Sequence, residues 1–169
     1  MILVVMGVTG SGKTVVGSAL AQALGWPFLD GDDFHPPANV AKMASGTPLV
    51  DADRWPWLDR LAQEAGAILA RGGSAVLACS ALKQVYRDRL AACAKAPDDV
   101  RFVYLKGDFD TIAARLAARK HRYMPASLLA SQFATLEEPA DAIVVDASAT
   151  IADEVARIRE CLLAELEKR

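Results

Sequence analysis

The sequence has few cysteines, no excess of charge and no long apolar run. Its 169 residues contain three cysteines, Cys79, Cys93 and Cys161, without a Cys-x-x-Cys pair, which argues against zinc and thioredoxin-like motifs. We expect buried, reduced thiols. The formal net charge of −2 provides no basic surface for nucleic acid or a membrane, so we expect a small-molecule partner. No apolar run reaches the roughly 18 residues of a membrane span, and we expect a cytoplasmic protein.

Apolar runs alternate with amphipathic stretches along the whole chain. We find no repeats or linkers and expect a single domain over residues 1–169. Helical spacing of apolar residues predicts helices over Val16–Leu24, Trp57–Leu69 and Ile151–Leu166. Strands that alternate with helices indicate an α/β fold with a parallel sheet covered on both faces. The predicted strands are Ile2–Met6, Pro27–Leu29, Ser74–Cys79, Arg101–Leu105 and Ala142–Val145.

Two segments fit this alternation poorly. Gly31–Asp53 is rich in Asp, Pro and Gly, and Lys120–Pro139 combines Arg, His, Tyr and Pro with two adjacent glutamates. Long irregular insertions in a compact domain are usually functional. We therefore expect these segments to handle the substrate and to form a lid.

The sequence Gly7–Thr14 is a complete Gly-x-x-x-x-Gly-Lys-Thr motif between a predicted strand and a predicted helix. Such a loop turns backbone N–H groups towards a phosphate, and the helix N-terminus adds partial positive charge. Lys13 can reach the β- and γ-phosphates, and the Thr14 hydroxyl can bind Mg²⁺. The alternative is a glycine-rich turn that matches by chance, which the flanking strand and helix disfavour. The residues expected to bind ATP here are Gly7, Thr9, Gly10, Ser11, Gly12, Lys13 and Thr14.

Acidic residues follow the second predicted strand. Ligands of open parallel sheets bind beyond the carboxyl ends of the strands, so these carboxylates are expected to face the phosphate loop. Asp30 is a candidate for the Mg²⁺ shell and Asp32 for the base that takes a proton from the attacking hydroxyl. Asp33 is more typical of a helix cap. His35 is expected to contact the substrate or to form a local hydrogen bond.

Three basic residues are candidates for binding a carboxylate. Arg54 precedes a Trp-Pro-Trp sequence, and Lys83 and Arg87 follow the strand that ends near Cys79. An arginine can grip a carboxylate with two parallel hydrogen bonds. For any single arginine, a solvated helix face is the alternative, and Arg89 is assigned to it.

The chain resembles gluconokinases of the short P-loop type, which are related in fold to shikimate and nucleoside monophosphate kinases. The Leu29–Leu58 stretch is specific to that family, whereas the phosphate loop alone is not. The matching stretches are GVTGSGKT (Gly7–Thr14), LDGDDFHPPANVAKMASGTPLVDADRWPWL (Leu29–Leu58), CSALKQVYRDRL (Cys79–Leu90), YLKGD (Tyr104–Asp108) and MPASLLASQFATLEEP (Met124–Pro139).

The resemblance implies an activity and a fold. It implies that ATP and D-gluconate give ADP and 6-phosphogluconate with Mg²⁺, in the pentose phosphate or Entner-Doudoroff routes. It also implies a P-loop NTPase-like three-layer α/β/α fold with strand order 2-3-1-4-5, a helical lid within about 120–139 and a homodimer. By motif position, Asp32 would contact substrate hydroxyls, while the gluconate pocket would be lined by Arg54, Lys83 and Arg87.

Two further arginines are implied on the nucleotide side. Arg115 and Arg119 would serve ATP and the transferring phosphate, with Arg119 among the catalytic residues. The lid departs from the family pattern, because Lys120–Pro125 reads Lys-His-Arg-Tyr-Met-Pro where family members commonly read Lys-Gly-His-Phe-Met-Pro. This lid carries an extra cation and lacks a flexible glycine.

Two alternatives remain open at this point. A shikimate-kinase-like enzyme would also phosphorylate a hydroxylated carboxylate, but its glycine-rich triplet is replaced by Cys79–Leu82. A nucleotide-binding module without catalysis is the other, and the intact Lys13, Thr14 and Asp32 argue against it.

Overall fold

Five short strands form the centre of the fold. The computed structural model describes residues 1–118 and 126–166. Within these residues the strands form one parallel sheet in the order β2-β3-β1-β4-β5. This confirms the expected order, and each predicted strand differs from the observed one by at most one residue at either end. The strands are β1 (Ile2–Met6), β2 (Phe28–Asp30), β3 (Ala75–Ala78), β4 (Val100–Lys106) and β5 (Ile143–Asp146).

Helices cover both faces of the sheet. The helices are α1 (Lys13–Leu24), α2 (Pro37–Ala44), α3 (Asp51–Ala70), α4 (Gln84–Ala91), α5 (Phe109–Ala118), α6 (Ala126–Thr135) and α7 (Ile151–Leu166). Helices α1 and α7 pack together on one face, and α3 packs with α4 on the other. The three-layer arrangement is therefore confirmed for the described residues.

Strand β1 explains why both faces must be covered. All five of its residues are buried, and successive side chains point to opposite faces. Leu3 and Val5 pack with α1 and α7, whereas Val4 and Met6 pack with α3 and α4. A strand buried on both sides is typical of a parallel sheet with helices on each face.

The segment Gly31–Asp53 is more regular than the sequence indicated. Gly31–Phe34 forms a short 3₁₀ turn, α2 follows, and α3 already begins at Asp51. The Asp53 carboxylate accepts a hydrogen bond from the Val50 backbone N–H at 2.9 Å, which fixes the start of α3. The expectation of an irregular insertion was wrong here because an eight-residue helix such as α2 is too short to show periodicity.

A small apolar cluster lies between the phosphate loop and the α5–α6 pair. We call its residues Val8, Leu82, Ile112, Leu116 and Leu129 the edge cluster; all five are buried. Phe133 and Leu136 pack against it. The cluster connects α6 to two loops that follow neighbouring strands of the sheet.

The cysteines are free within the described residues, as expected, but only one is fully buried. Burial raises the pKa of Cys79 to about 12, so this thiol is unreactive at neutral pH. Cys93 and Cys161 are half-buried, contrary to the expectation for them. None of the described helices combines the length and apolar character that crossing a membrane requires.

Candidate active site

The loop from β1 to α1 has the backbone of a phosphate cradle. Gly7 has φ +146° and Gly12, which precedes the first residue of α1, has φ +102°. A Cβ atom on Gly7 would lie 2.8 Å from Ser11 Oγ and 2.9 Å from the Leu105 carbonyl oxygen. Glycine is therefore required by both conformation and space. This backbone is what the Gly-x-x-x-x-Gly-Lys-Thr motif predicted.

Polar groups of this loop fit a nucleotide phosphate. Ser11 Oγ is buried and has no hydrogen-bond partner among residues 1–118 and 126–166. The Lys13 ammonium donates to the Val8 carbonyl at 3.0 Å, and the Thr9 N–H donates to Gln132 Oε1 at 2.7 Å. Together with the N-terminus of α1, these donors suit the anionic oxygens of a phosphate.

Thr14 and Asp30 lie together, as a shared metal site requires. Thr14 Oγ1 donates to Asp30 Oδ2 at 3.0 Å, and Asp30 Oδ1 accepts from the Asp32 N–H at 3.1 Å. A hydroxyl and a carboxylate are oxygen ligands that suit Mg²⁺. No group of three His, Cys, Asp or Glu residues with ligand spacing occurs in the described part of the chain. Such a group is unnecessary for Mg²⁺, which takes phosphate oxygens and waters as further ligands.

Asp32 and His35 lie on the 3₁₀ turn and just after it. The Asp32 side chain is 71% exposed, whereas that of His35 is 4% exposed, and their nearest atoms are 3.9 Å apart. The His35 ring stacks on Trp57 with centroids 4.1 Å apart. Burial, with a smaller contribution from Arg54, lowers the pKa of His35 against the opposing effect of Asp32, so the ring is neutral at pH 7. Trp57 also donates to the Gly31 carbonyl at 2.7 Å, which holds the turn.

The first turn of α3 meets the start of α4 around the ring of Tyr86. We call Asp51, Arg54, Lys83 and Tyr86 the Tyr86 cluster. The Arg54 guanidinium and the Lys83 ammonium each lie 5.5 Å from the ring centroid. Lys83 is 3.0 Å from both Asp51 carboxylate oxygens, and the Tyr86 hydroxyl donates to Asp51. These hydrogen bonds, that of Tyr86 first, lower the pKa of Asp51 and keep its carboxylate ionised.

A hydrogen bond joins the two halves of the site. The Gly7 N–H donates to the Ser80 carbonyl at 3.3 Å, and Ser80 lies in the loop between β3 and α4. The phosphate loop is therefore adjacent to the loop that carries Lys83.

Comparison with known proteins assigns the chain to a family. A family model described as an AAA domain matches residues 2–139. The chain is 41% identical over 170 residues to the thermosensitive gluconokinase of Escherichia coli K12, which covers 98% of this chain and 89% of that protein. The chain belongs to the gluconokinase family. The gluconokinase of Gluconobacter oxydans is 51% identical over 145 residues, covering 82% of this chain and 76% of that protein.

A solved structure extends the likeness to three dimensions. The crystal structure of a gluconokinase from Sinorhizobium meliloti superposes with a TM-score of 0.82 at 42% identity, over 96% of this chain and 95% of that one. The gluconokinase resemblance and the P-loop kinase fold drawn from the sequence are thereby confirmed.

Arg87 does not join Arg54 and Lys83 at the Tyr86 ring. Arg87 is buried, with 2% of its surface exposed. Its guanidinium donates to the Ala81 carbonyl at 2.9 Å and to the Leu82 carbonyl at 3.1 Å. Ala81 has φ +45°, a strained value for a residue with a side chain. In this arrangement Arg87 holds the β3–α4 loop, and its place in the gluconate pocket, which the resemblance implied, stays a prediction.

The nucleotide-side arginines are only partly described. Arg115 is half-buried in the last turn of α5, and its charge acts on Asp146 and Glu154. Arg119 and the unusual lid residues 120–125 lie outside the described residues. Of the segment assigned to the lid, the described part contains α6, which packs against α5.

Sequence reasoning missed residues that the fold brings to the site. Asp51 and Tyr86 complete the cluster around Lys83, and Asn39 connects α2 to α3 by donating to the Asp53 carbonyl at 2.8 Å. Gln132 reaches the phosphate loop from 123 residues away in the sequence. The quoted family stretches contain all four residues, but no local pattern singles them out.

Proposed function

We propose that this chain transfers the terminal phosphoryl group of ATP to a hydroxyl group of gluconate, giving 6-phosphogluconate and ADP. The observation that carries the proposal is the placement of a phosphate cradle beside the Tyr86 cluster at one edge of the sheet, joined by the Gly7–Ser80 hydrogen bond. Family membership supports the same activity, since the similar proteins are named gluconokinases.

On the nucleotide side, the chain provides cations and backbone donors. Lys13 exchanges the Val8 carbonyl for the β- and γ-phosphate oxygens and stabilises the charge that develops on them. Thr14 and Asp30 would hold Mg²⁺, which neutralises phosphate charge when bound. Arg115, and Arg119 beyond the described residues, are proposed to contact the nucleotide. Electrostatic stabilisation and positioning supply most of the catalysis in such a transfer.

On the sugar side, the charges suit a polyhydroxy acid. Arg54 binds the gluconate carboxylate, with Lys83 beside it. Asp51 already neutralises Lys83, so Arg54 carries the larger share of this attraction. His35 is neutral and buried, and it can exchange hydrogen bonds with a substrate hydroxyl without adding charge. Arg87 acts indirectly, because it positions the loop that carries Lys83.

Asp32 is proposed as the general base. Its exposed carboxylate can accept the proton of the attacking hydroxyl while the hydroxyl oxygen forms a bond to the terminal phosphorus. The bond from that phosphorus to the β–γ bridging oxygen breaks, and ADP leaves with the electron pair. Two contacts fix the turn that presents this carboxylate. The Asp32 N–H donates to Asp30 Oδ1, and the buried side chain of His35 lies beside Asp32.

The direct test is ADP release, coupled to an optical assay, with gluconate, shikimate and nucleoside monophosphates as alternative acceptors. We expect turnover with gluconate and little with the others. Turnover with shikimate instead would support the alternative kinase. ATP binding without turnover on any acceptor would support the non-catalytic module. Light scattering after size exclusion tests the homodimer, which stays a prediction, as does the cytoplasmic location.

A further inference from the structure

The side chain of Gln132 occupies a backbone donor of the phosphate loop. Its Oε1 atom accepts from the Thr9 N–H at 2.7 Å, a short and part-buried hydrogen bond. Thr9 is one of the residues expected to bind ATP. Gln132 was not among the site residues derived from the sequence.

The packing of α6 fixes this contact. Leu129 is buried in the edge cluster, and Phe133 and Leu136 pack on the same cluster, which also contains Val8 of the phosphate loop. These positions are three residues before, one after and four after Gln132, so the helix face beside Gln132 lies against the loop. The Glu137 N–H donates to the Leu82 carbonyl at 2.8 Å, which secures the end of the helix.

A second donor of the phosphate loop is also paired with a protein acceptor. The Lys13 ammonium donates to the Val8 carbonyl at 3.0 Å, as the Thr9 N–H donates to Gln132. Phosphate oxygens are acceptors, and they compete for both donors. Once a phosphate oxygen takes the Thr9 N–H, the acceptor oxygen of Gln132 would face another acceptor, which is unfavourable.

The carboxamide of Gln132 resolves that conflict. Glutamine has an acceptor oxygen and a two-proton donor at the end of one side chain, and a half-turn of the amide exchanges them. We propose that Gln132 is a phosphate-site residue whose carboxamide turns from accepting the Thr9 N–H to donating through Nε2 to the terminal phosphate of bound ATP. In this role it positions the phosphate that is transferred. The inference rests on the proposed function.

Two variants separate this role from simple bracing of the loop. In Gln132→Glu, the ionised carboxylate can still accept a hydrogen bond from the Thr9 N–H but cannot donate one to a phosphate. In Gln132→Met, the side chain can neither accept from Thr9 in this way nor donate to a phosphate. The measurement is calorimetric binding of a non-hydrolysable ATP analogue and of ADP. The free energy of one hydrogen bond to a charged group corresponds to a change in Kd of about 10-fold or more. We therefore expect Gln132→Glu to bind the analogue about 10-fold more weakly, or weaker still. We expect a clearly smaller loss for ADP, and weakening of analogue binding in Gln132→Met as well.

Ser131→Glu is the matched control, because it adds the same charge one residue earlier at an exposed position of α6. It should bind both nucleotides as the wild type does, and thermal unfolding should show all variants folded. Wild-type affinity of Gln132→Glu for the analogue, or equal losses for analogue and ADP, would overturn the inference. If the wild-type protein itself bound neither nucleotide, the proposed function would fail instead, so the two failures are distinguishable.

Discussion

Glu154 is a buried carboxyl group whose replacement tests the electrostatics of the fold. Its residue surface is 2% exposed in the first turn of α7. Burial raises the pKa of Glu154 from its ordinary 4.5 to about 7; Arg115 of α5 opposes the rise and Asp146 at the end of β5 adds to it. We predict that Glu154→Gln stabilises the protein at alkaline pH, because Gln resembles the neutral acid and cannot ionise.

The sign and size follow from the two pKa values. The folded state holds the proton more tightly than the unfolded chain, so the resulting stability is complete below pH 4.5 and is lost as pH rises through 7. Because one pKa unit corresponds to about 1.4 kcal/mol, the ionised Glu154 costs up to about 3 kcal/mol well above pH 7. The free energy of unfolding of Glu154→Gln, relative to that of the wild type, should therefore rise by about 2 kcal/mol between pH 5 and pH 8.

Thermal and urea unfolding at both pH values measure this growth. For a chain of this length, about 2 kcal/mol corresponds to roughly 4–8 °C in Tm. Asp153→Asn is the matched control, since Asp153 is exposed in the same turn and its stability difference should not grow between these pH values. A difference for Glu154→Gln that stays constant or shrinks with pH would refute the reasoning.

Four further substitutions test the site. Lys13→Ala should abolish turnover and leave the unfolding curve nearly unchanged, because the side chain acts on phosphate charge; near-normal turnover would contradict its assignment. Asp32→Asn should lower kcat by about 100-fold or more while calorimetric ATP affinity stays constant, since only the proton acceptor is lost; an unchanged rate would redirect attention to Asp30 or His35. Arg54→Lys should raise the KM for gluconate by about 10- to 100-fold through loss of the planar fork; a change confined to the KM for ATP would move Arg54 to the nucleotide side. Arg87→Met should cost about 2–3 kcal/mol in urea unfolding, because two buried carbonyls lose their donor; wild-type stability would argue against its loop-holding role.

The sheet and the phosphate loop could be predicted because their signals are local. Continuous apolar runs mark strands that are buried on both faces, and β1 is such a strand. The Gly-x-x-x-x-Gly-Lys-Thr motif prescribes its own backbone, which Gly7 and Gly12 adopt. Asp30 and Thr14 could be paired in advance, since Asp30 ends strand β2 and Thr14 lies in the first turn of the helix after β1, both at the carboxyl edge of the sheet.

The remaining features depend on the folded backbone or on contacts that are distant in sequence. The position of Arg87 after β3 predicts a pocket residue. In the structure its guanidinium donates to the carbonyl of Ala81, whose backbone is strained. Gln132 acquires its role only because α6 packs on Val8 through the edge cluster. Such roles arise from packing and are not encoded in the spacing of neighbouring residues.

The product of the reaction tests the central claim most directly. Phosphorus NMR of the protein incubated with ATP, Mg²⁺ and gluconate reports where the phosphoryl group goes. We predict a new phosphomonoester at the terminal carbon of gluconate, formed in equal amount to ADP. Unchanged ATP, or ADP accompanied only by inorganic phosphate, would contradict the account.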